Sequence, residues 1–142
     1  MILIDVNVLV YAKRLDLPDH AKFEAWLLET LRSDAIVGYS DLILSSVVRV
    51  ITHPKIFGEP TRLDEALEYV NSLRAHPACI PVVPGEHHWE IFSRLCKGAE
   101  ARGNLITDAY SATLAIESGA EWITTDRDFA RFPGLRWRHP FA

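Results

Sequence analysis

Short apolar runs alternate with helical stretches along this chain, and no other feature of the sequence restricts its fold as much. The first run, Ile2-Leu3-Ile4, ends on Asp5 and reads as a buried parallel strand. Val6 to Lys13 can continue as a short helix with Asn7 near its start. His20 to Arg32 carries Phe23, Trp26, Leu27 and Leu31 on one helical face. Ala35 to Tyr39 is a second short strand. Asp41 to Thr52 is apolar nearly all round, which predicts a buried helix stopped by His53-Pro54. A loop from His53 to Pro60 follows, in which Phe57 reads as exposed. Thr61 to Arg74 predicts an amphipathic helix capped by Thr61, with Asp64 at the reciprocal position.

Ile80 to Val83 is a third strand, and Pro81 places it at an edge. Glu86 to Arg102 is helical in pattern, with Gly103 where a C-terminal glycine belongs. Ile106 to Ser118 is the next helix, stopped by Gly119. Glu121 to Thr125 is a strand that runs into Asp126, and Leu135 to Trp137 is a last short strand. This alternation predicts an α/β fold with a mostly parallel central sheet covered by helices on both faces. Ligands of such sheets sit at the carboxyl ends of the strands. Asp5 and Asp126 each follow a strand directly, so both are expected at one sheet edge.

The 142 residues fit one domain spanning 1–142. With 49% hydrophobic and 24% charged residues, a disordered chain is excluded. No apolar run reaches the ~18–20 residues that span a bilayer, and the N-terminus lacks the marks of a signal peptide. A cytoplasmic protein with no membrane partner is expected. Cys79 and Cys96 form no Cys-x-x-Cys pair, which argues for two buried thiols rather than zinc ligands or a disulfide framework. The net charge of -4 weighs against a polyanion partner, yet Arg127, Arg131, Arg136 and Arg138 face only Asp128 in the last stretch.

Each acid has a structural alternative. Asp108 sits near a helix start, where the macrodipole favours it. Asp126 and Asp128 can cap the turn Phe129-Ala130-Arg131. Asp5, at the end of an apolar strand, must be paired, protonated or metal-bound. Together the three would repel one another, and a hard divalent cation resolves that repulsion. Mg²⁺ takes one or two carboxylates and keeps several waters, which suits phosphate chemistry. The histidines carry little weight. His53 and His76 precede prolines, and His87 and His88 would point about 100° apart on a helix. No glycine-rich phosphate loop or nucleophile elbow is present.

Three stretches resemble the acidic motifs of PIN-domain ribonucleases: Ile4 to Leu9 with Asp5 and Asn7, Gly103 to Ala109 with Thr107 and Asp108, and Thr125 to Phe129 with Asp126 and Asp128. Arg49 to Phe57 and Phe132 to Trp137 resemble VapC toxins of bacterial toxin–antitoxin pairs in particular. The resemblance covers essentially the whole chain. It implies a three-layer α/β/α sandwich, Mg²⁺- or Mn²⁺-dependent cleavage of RNA, and inhibition by a VapB-type antitoxin. It also implies that Asp5 and Asp108 are metal ligands and that Asp126 acts directly or through water. Asn7, Thr107 and Asp128 would orient ligands or water around them. Arg49 and Arg127 are expected on the RNA backbone, and Phe57 and Trp89, read as exposed aromatics, suggest a homodimer or an antitoxin groove.

One position departs from the pattern. Ser46 stands where the family usually has Glu, and Asp41 lies about 140° round the helix from it. That departure keeps open a weakly active or inactive module that binds RNA or antitoxin. A phosphatase of the haloacid-dehalogenase type is disfavoured, because Asp5-Val6-Asn7 lacks the second acid of Asp-x-Asp.

Overall fold

The computed structural model describes residues 1–142. In chain order the elements are β1 (Ile2–Ile4), α1 (Val6–Lys13), α2 (His20–Arg32), β2 (Val37–Tyr39), α3 (Asp41–Ile51), α4 (Leu63–Ala75), β3 (Cys79–Pro81), α5 (His88–Gly98), α6 (Asn104–Ser118), β4 (Glu121–Ile123), a 3-10 turn (Arg127–Arg131) and β5 (Trp137–Arg138). The five strands form one sheet in the order β3-β2-β1-β4-β5, and every pair is parallel. Parallel neighbours cannot be joined by tight turns, so the longer connections cross over through helices. α1 packs on α2 and α3, α3 packs on α4, and α5 packs on α6. Right-handed crossovers put the first four helices on one face and the last two on the other.

β1 is central because it is apolar on both faces: Leu3 and Ile4 are buried. Leu3 lies in register with Gly38 on one side and Trp122 on the other. Trp122, Ile123, Val8, Val47, Ile51, Leu95 and Leu114 are, like Leu3, almost fully buried. The chain leaves β1 towards β2 on one side and later returns to β4 on the other. The strand order therefore reverses between β1 and β4, where open α/β sheets form their ligand crevice.

Gly38 shows how tightly β1 and β2 are packed. A Cβ there would lie 2.7 Å from both Leu3 Cδ2 and Val82 Cγ2. Gly38→Ala is expected to destabilise the fold by about 1–3 kcal/mol through overpacking. A denaturant melt that left the midpoint unchanged would show that the sheet can yield there.

Several expectations are corrected. Thr61 does not cap α4, which starts after Arg62 without a side-chain cap. Thr61 is buried, and its hydroxyl accepts from Arg14 Nη1 at 3.2 Å. Asp64 accepts from the Glu65 N–H and pairs with the Arg62 guanidinium at 3.4 Å, and does not reach back to Thr61. Phe57 is 7% exposed rather than presented to solvent, because the Arg14 guanidinium lies 4.0 Å from its ring centre and covers it. α5 ends at Gly98, and Gly103 is no C-cap for it. Glu100, at φ 50°, turns the chain first, and Gly103 then begins α6 at φ 60° and ψ -132°, a conformation that suits only glycine. Cys79 and Cys96 are free but half-buried rather than fully enclosed. β3 is an edge strand, as Pro81 predicts, and Gly119 ends α6 in the left-handed conformation. No helix is long and apolar enough to cross a membrane.

Candidate functional site

Asp5 follows β1 and caps α1. Its N–H still donates to Ile123 O at 2.9 Å, which pins it to β4. Its Oδ1 accepts from the Val6 N–H at 2.7 Å. Its Oδ2 accepts from the Thr124 hydroxyl at 2.6 Å and from Asn7 Nδ2 at 3.1 Å. Thr124 is fully buried, and its oxygen accepts in turn from the Asp126 N–H at 3.0 Å. Asn7 Oδ1 accepts from the Thr125 N–H at 3.4 Å. One hydroxyl and one amide thus tie the ends of β1 and β4 together, with Asp5 on one side and Asp126 on the other.

Asp126 also has the structural role foreseen for it. Its Oδ1 accepts from the Asp128 N–H at 2.9 Å and caps the 3-10 turn. Asp108 has less of a structural excuse than expected. α6 starts at Asn104, so Asp108 lies past the first turn, where the dipole's pull has largely faded. Its carboxylate makes no hydrogen bond within the protein. Asp5, Asp108 and Asp126 all line one open cavity of about 360 Å³.

The electrostatics report the same proximity. Burial pushes the Asp5 carboxyl up to about 6; the Thr124 and Val6 bonds oppose this, and the charges of Asp108 and Asp126 add to it. The Asp108 carboxyl is raised by burial first, then by Asp126 and Asp128, with Arg131 opposing. No three acidic, His or Cys side chains close tightly round a single point. The donors are all hard oxygens facing one space, and two of them hold their charge at a penalty. They fit a hard divalent cation that takes one or two carboxylates directly and reaches the rest through water. They do not fit a closed tetrahedral centre.

Residues 2–135 match the family model for the PIN domain. The chain is 44% identical over 140 residues to the ribonuclease VapC43 of Mycobacterium tuberculosis, covering 99% of this chain and 95% of that one. This chain belongs to the VapC ribonucleases of the PIN-domain family. VapC25 of the same organism is 36% identical over 140 residues, with 99% of each chain covered. Among solved structures, VapBC2 from Rickettsia felis, bound to a DNA fragment from its promoter, superposes with a TM-score of 0.71 at 18% identity over 98% of each chain. VapC20 of Mycobacterium tuberculosis, a sarcin–ricin loop cleaving toxin, gives 0.66 at 13% identity over 96% of this chain and 99% of that one. At those identities the superpositions show the shared fold.

Ser46 of this VapC chain lines a second cavity of about 240 Å³, together with Asp5, Asp108, Arg49 and Thr107. Its hydroxyl donates to Leu42 O at 2.9 Å. Asp41 makes no substitute for a carboxylate there. It pairs with Arg74 at 3.1 Å and borders a different cavity, with Tyr39 and Pro81. Thr107 and Arg49 line the site, whereas Arg127 and Asp128 are exposed on the 3-10 turn and line neither cavity. Asp128 pairs with Arg131 at 3.8 Å and acts on Asp108 through its charge. His88 is buried away from these acids, its ring 4.5 Å from that of Tyr110.

Thr124, Asn104 and Ser111 belong to the site and were not foreseen. Thr124 reads as an ordinary β-branched strand residue, and only its position two residues before Asp126 hints at more. Asn104 lies three residues before Thr107 and Ser111 four after it, all on one face of α6, a spacing visible once the helix start is known.

Proposed function

We propose that this VapC chain cleaves RNA at the Asp5–Asp108–Asp126 cleft with Mg²⁺ or Mn²⁺ held there. The protein is the toxin of a toxin–antitoxin pair and a metal-dependent endoribonuclease. The observation that carries the reading is a set of three carboxylates, two with raised pKa, facing one cavity at the switch point of the sheet. Asp5 and Asp108 are the direct ligands, and Asp126 completes the set through water. When bound, the cation lowers the pKa of the attacking water and stabilises the oxygen that leaves phosphorus.

The chain's own groups do the positioning. Val6, Thr124 and Asn7 fix both oxygens of Asp5, so its remaining lone pairs have one direction open. Asp126 has Oδ1 engaged by the turn, leaving Oδ2 for the cleft. Asp108, free of protein hydrogen bonds, would have one oxygen for the cation and the other to orient a water. Thr107 and Asp128 tune the ligands from outside, and Arg49 and Arg127 steady the RNA backbone. The partner is a VapB-type antitoxin and the chain acts as a cytoplasmic homodimer as a single domain. The VapBC complex among the solved structures supports the antitoxin partner, and the exposed Trp89, at 71%, supports an interface with a second copy.

The test is cleavage of a single-stranded RNA with Mg²⁺, with Mn²⁺ and with excess EDTA. Turnover in both metals and none in EDTA is expected. Undiminished turnover in EDTA would overturn the reading. Ser46 favours a second one, a module that binds RNA or antitoxin without cutting, and that module would bind in EDTA and never turn over.

A further inference from the structure

The two cavities share Asp5, Val6 and Asp108 and open on either side of them. One is largely apolar, walled by Tyr11, Leu17, Ile56 and Phe57. The other is polar, walled by Ser46, Arg49, Asn104, Thr107 and Ser111. A strand laid across the carboxylates must therefore leave through surroundings of opposite character. The polar side is built for an anion even though it adjoins two acids.

Arg49 is the first reason. Its guanidinium has no carboxylate partner; Arg32, Arg94, Arg102, Arg127 and Arg136 are also without one, but Arg49 is the arginine that lines this cavity. No ion pair joins Arg49 to Asp5, Asp108 or Asp126, although it shares the cavity with the first two. Ser111 is the second reason. It is only 8% exposed, yet its hydroxyl makes no hydrogen bond within the protein and opens on this cavity. The Ser111 oxygen opens on the cavity and is not sealed in the core, so it is free to donate to a ligand there. The Asn104 amide and Thr107 hydroxyl are likewise unbonded, and they stand at the positive end of a 15-residue helix. Ser46 is the third reason. A carboxylate at that position would add a negative charge to the cavity, and serine leaves it open to an anion.

We infer that this polar cavity is the subsite for the phosphate next to the one being cut, with Arg49 as its cation and Ser111, Asn104 and Thr107 as its donors. The inference rests on the ribonuclease reading of the adjoining cleft. Arg49 is then a positioning residue: it holds the RNA in register without touching the reacting phosphorus.

Steady-state cleavage of a single-stranded oligoribonucleotide tests it, with RNA affinity measured by anisotropy in the Asp5→Asn background. Arg49→Ala should raise KM about 10–100-fold, as loss of a charge-assisted bond does, and leave kcat within about threefold. The slope of log affinity against log salt should fall by about 0.7, the value for one phosphate contact on a single strand. Arg49→Lys should restore the salt slope and part of the affinity. Ser46→Asp should raise KM as well, by repelling the same phosphate. Wild type that cuts RNA, with Arg49→Ala unchanged in KM and salt slope, overturns the subsite alone. A lower KM in Ser46→Asp overturns it too, because the position would then serve the cation. Wild type that never cuts RNA overturns the reading of the cleft instead.

Discussion

Asp5→Asn is expected to reduce RNA cleavage below about a hundredth of wild type and, in buffer free of divalent cations, to raise the melting temperature. The first half follows from its place as a proposed ligand, since even groups outside the ligand shell cost 10–100-fold when removed. The second half is less intuitive and comes from the energetics of the empty carboxylate cluster. Burial and two neighbouring acids lift Asp5 from 3.8 to about 6. The folded chain therefore binds more protons than the unfolded chain across that window. The contribution of Asp5 to stability is greatest below pH 3.8 and is lost as the pH rises through about 6. At neutral pH the penalty is about 3 kcal/mol at most. Asparagine removes the charge but turns an amide towards Asn7, which offsets part of the gain. A net rise of about 3–6 °C is expected at pH 7.5. The difference from wild type should shrink to near zero at pH 4. Paired melts at the two pH values check this, and a lower melting temperature for the variant at pH 7.5 would show that the charged Asp5 is stabilising as it stands.

The same residues show what a sequence can and cannot reveal. Asp5 stands out because an acid directly ends an apolar strand, and Asp126 because it does so again. Parallel alternation then places both at one edge, and the structure brings them to either side of Thr124. Asp108 is found by motif, but its weak structural excuse appears only when α6 is seen to begin at Asn104. In the sequence Gly103 suits the end of α5 as well as the start of α6, because a glycine between two helical patterns fits either. The left-handed turn at Glu100 decides the matter, and nothing in an Ala- and charge-rich stretch announces it. Phe57 is hidden by Arg14, a residue more than forty positions away, and loop exposure is not a local property. Thr124 and Ser111 act through what they lack or meet in space. A hydroxyl's partner is not written in its neighbours along the chain.

Mg²⁺ or Mn²⁺ is expected to reverse the penalty that Asp5 carries, and this is the second large effect. A cation that binds the folded cluster and not the unfolded chain stabilises by about 2.7 kcal/mol at a hundred times its dissociation constant. That should lift the wild-type melting temperature by about 5–10 °C at pH 7.5. Asp5→Asn, already relieved of its charge, should gain far less. The gain must also depend on pH. Binding needs Asp5 ionised, and its carboxyl sits at about 6, so affinity should fall roughly tenfold for each pH unit below that value. A titration followed by thermal shift at pH 5 and pH 7.5 reads both effects. Ca²⁺ separates geometry from charge, because it tolerates looser coordination and can stabilise the cluster without orienting a water for attack. Equal stabilisation at the two pH values would place the ion elsewhere on the surface. Stabilisation that persists in Asp5→Asn and disappears in Asp108→Asn would move the main ligand from the end of β1 to α6.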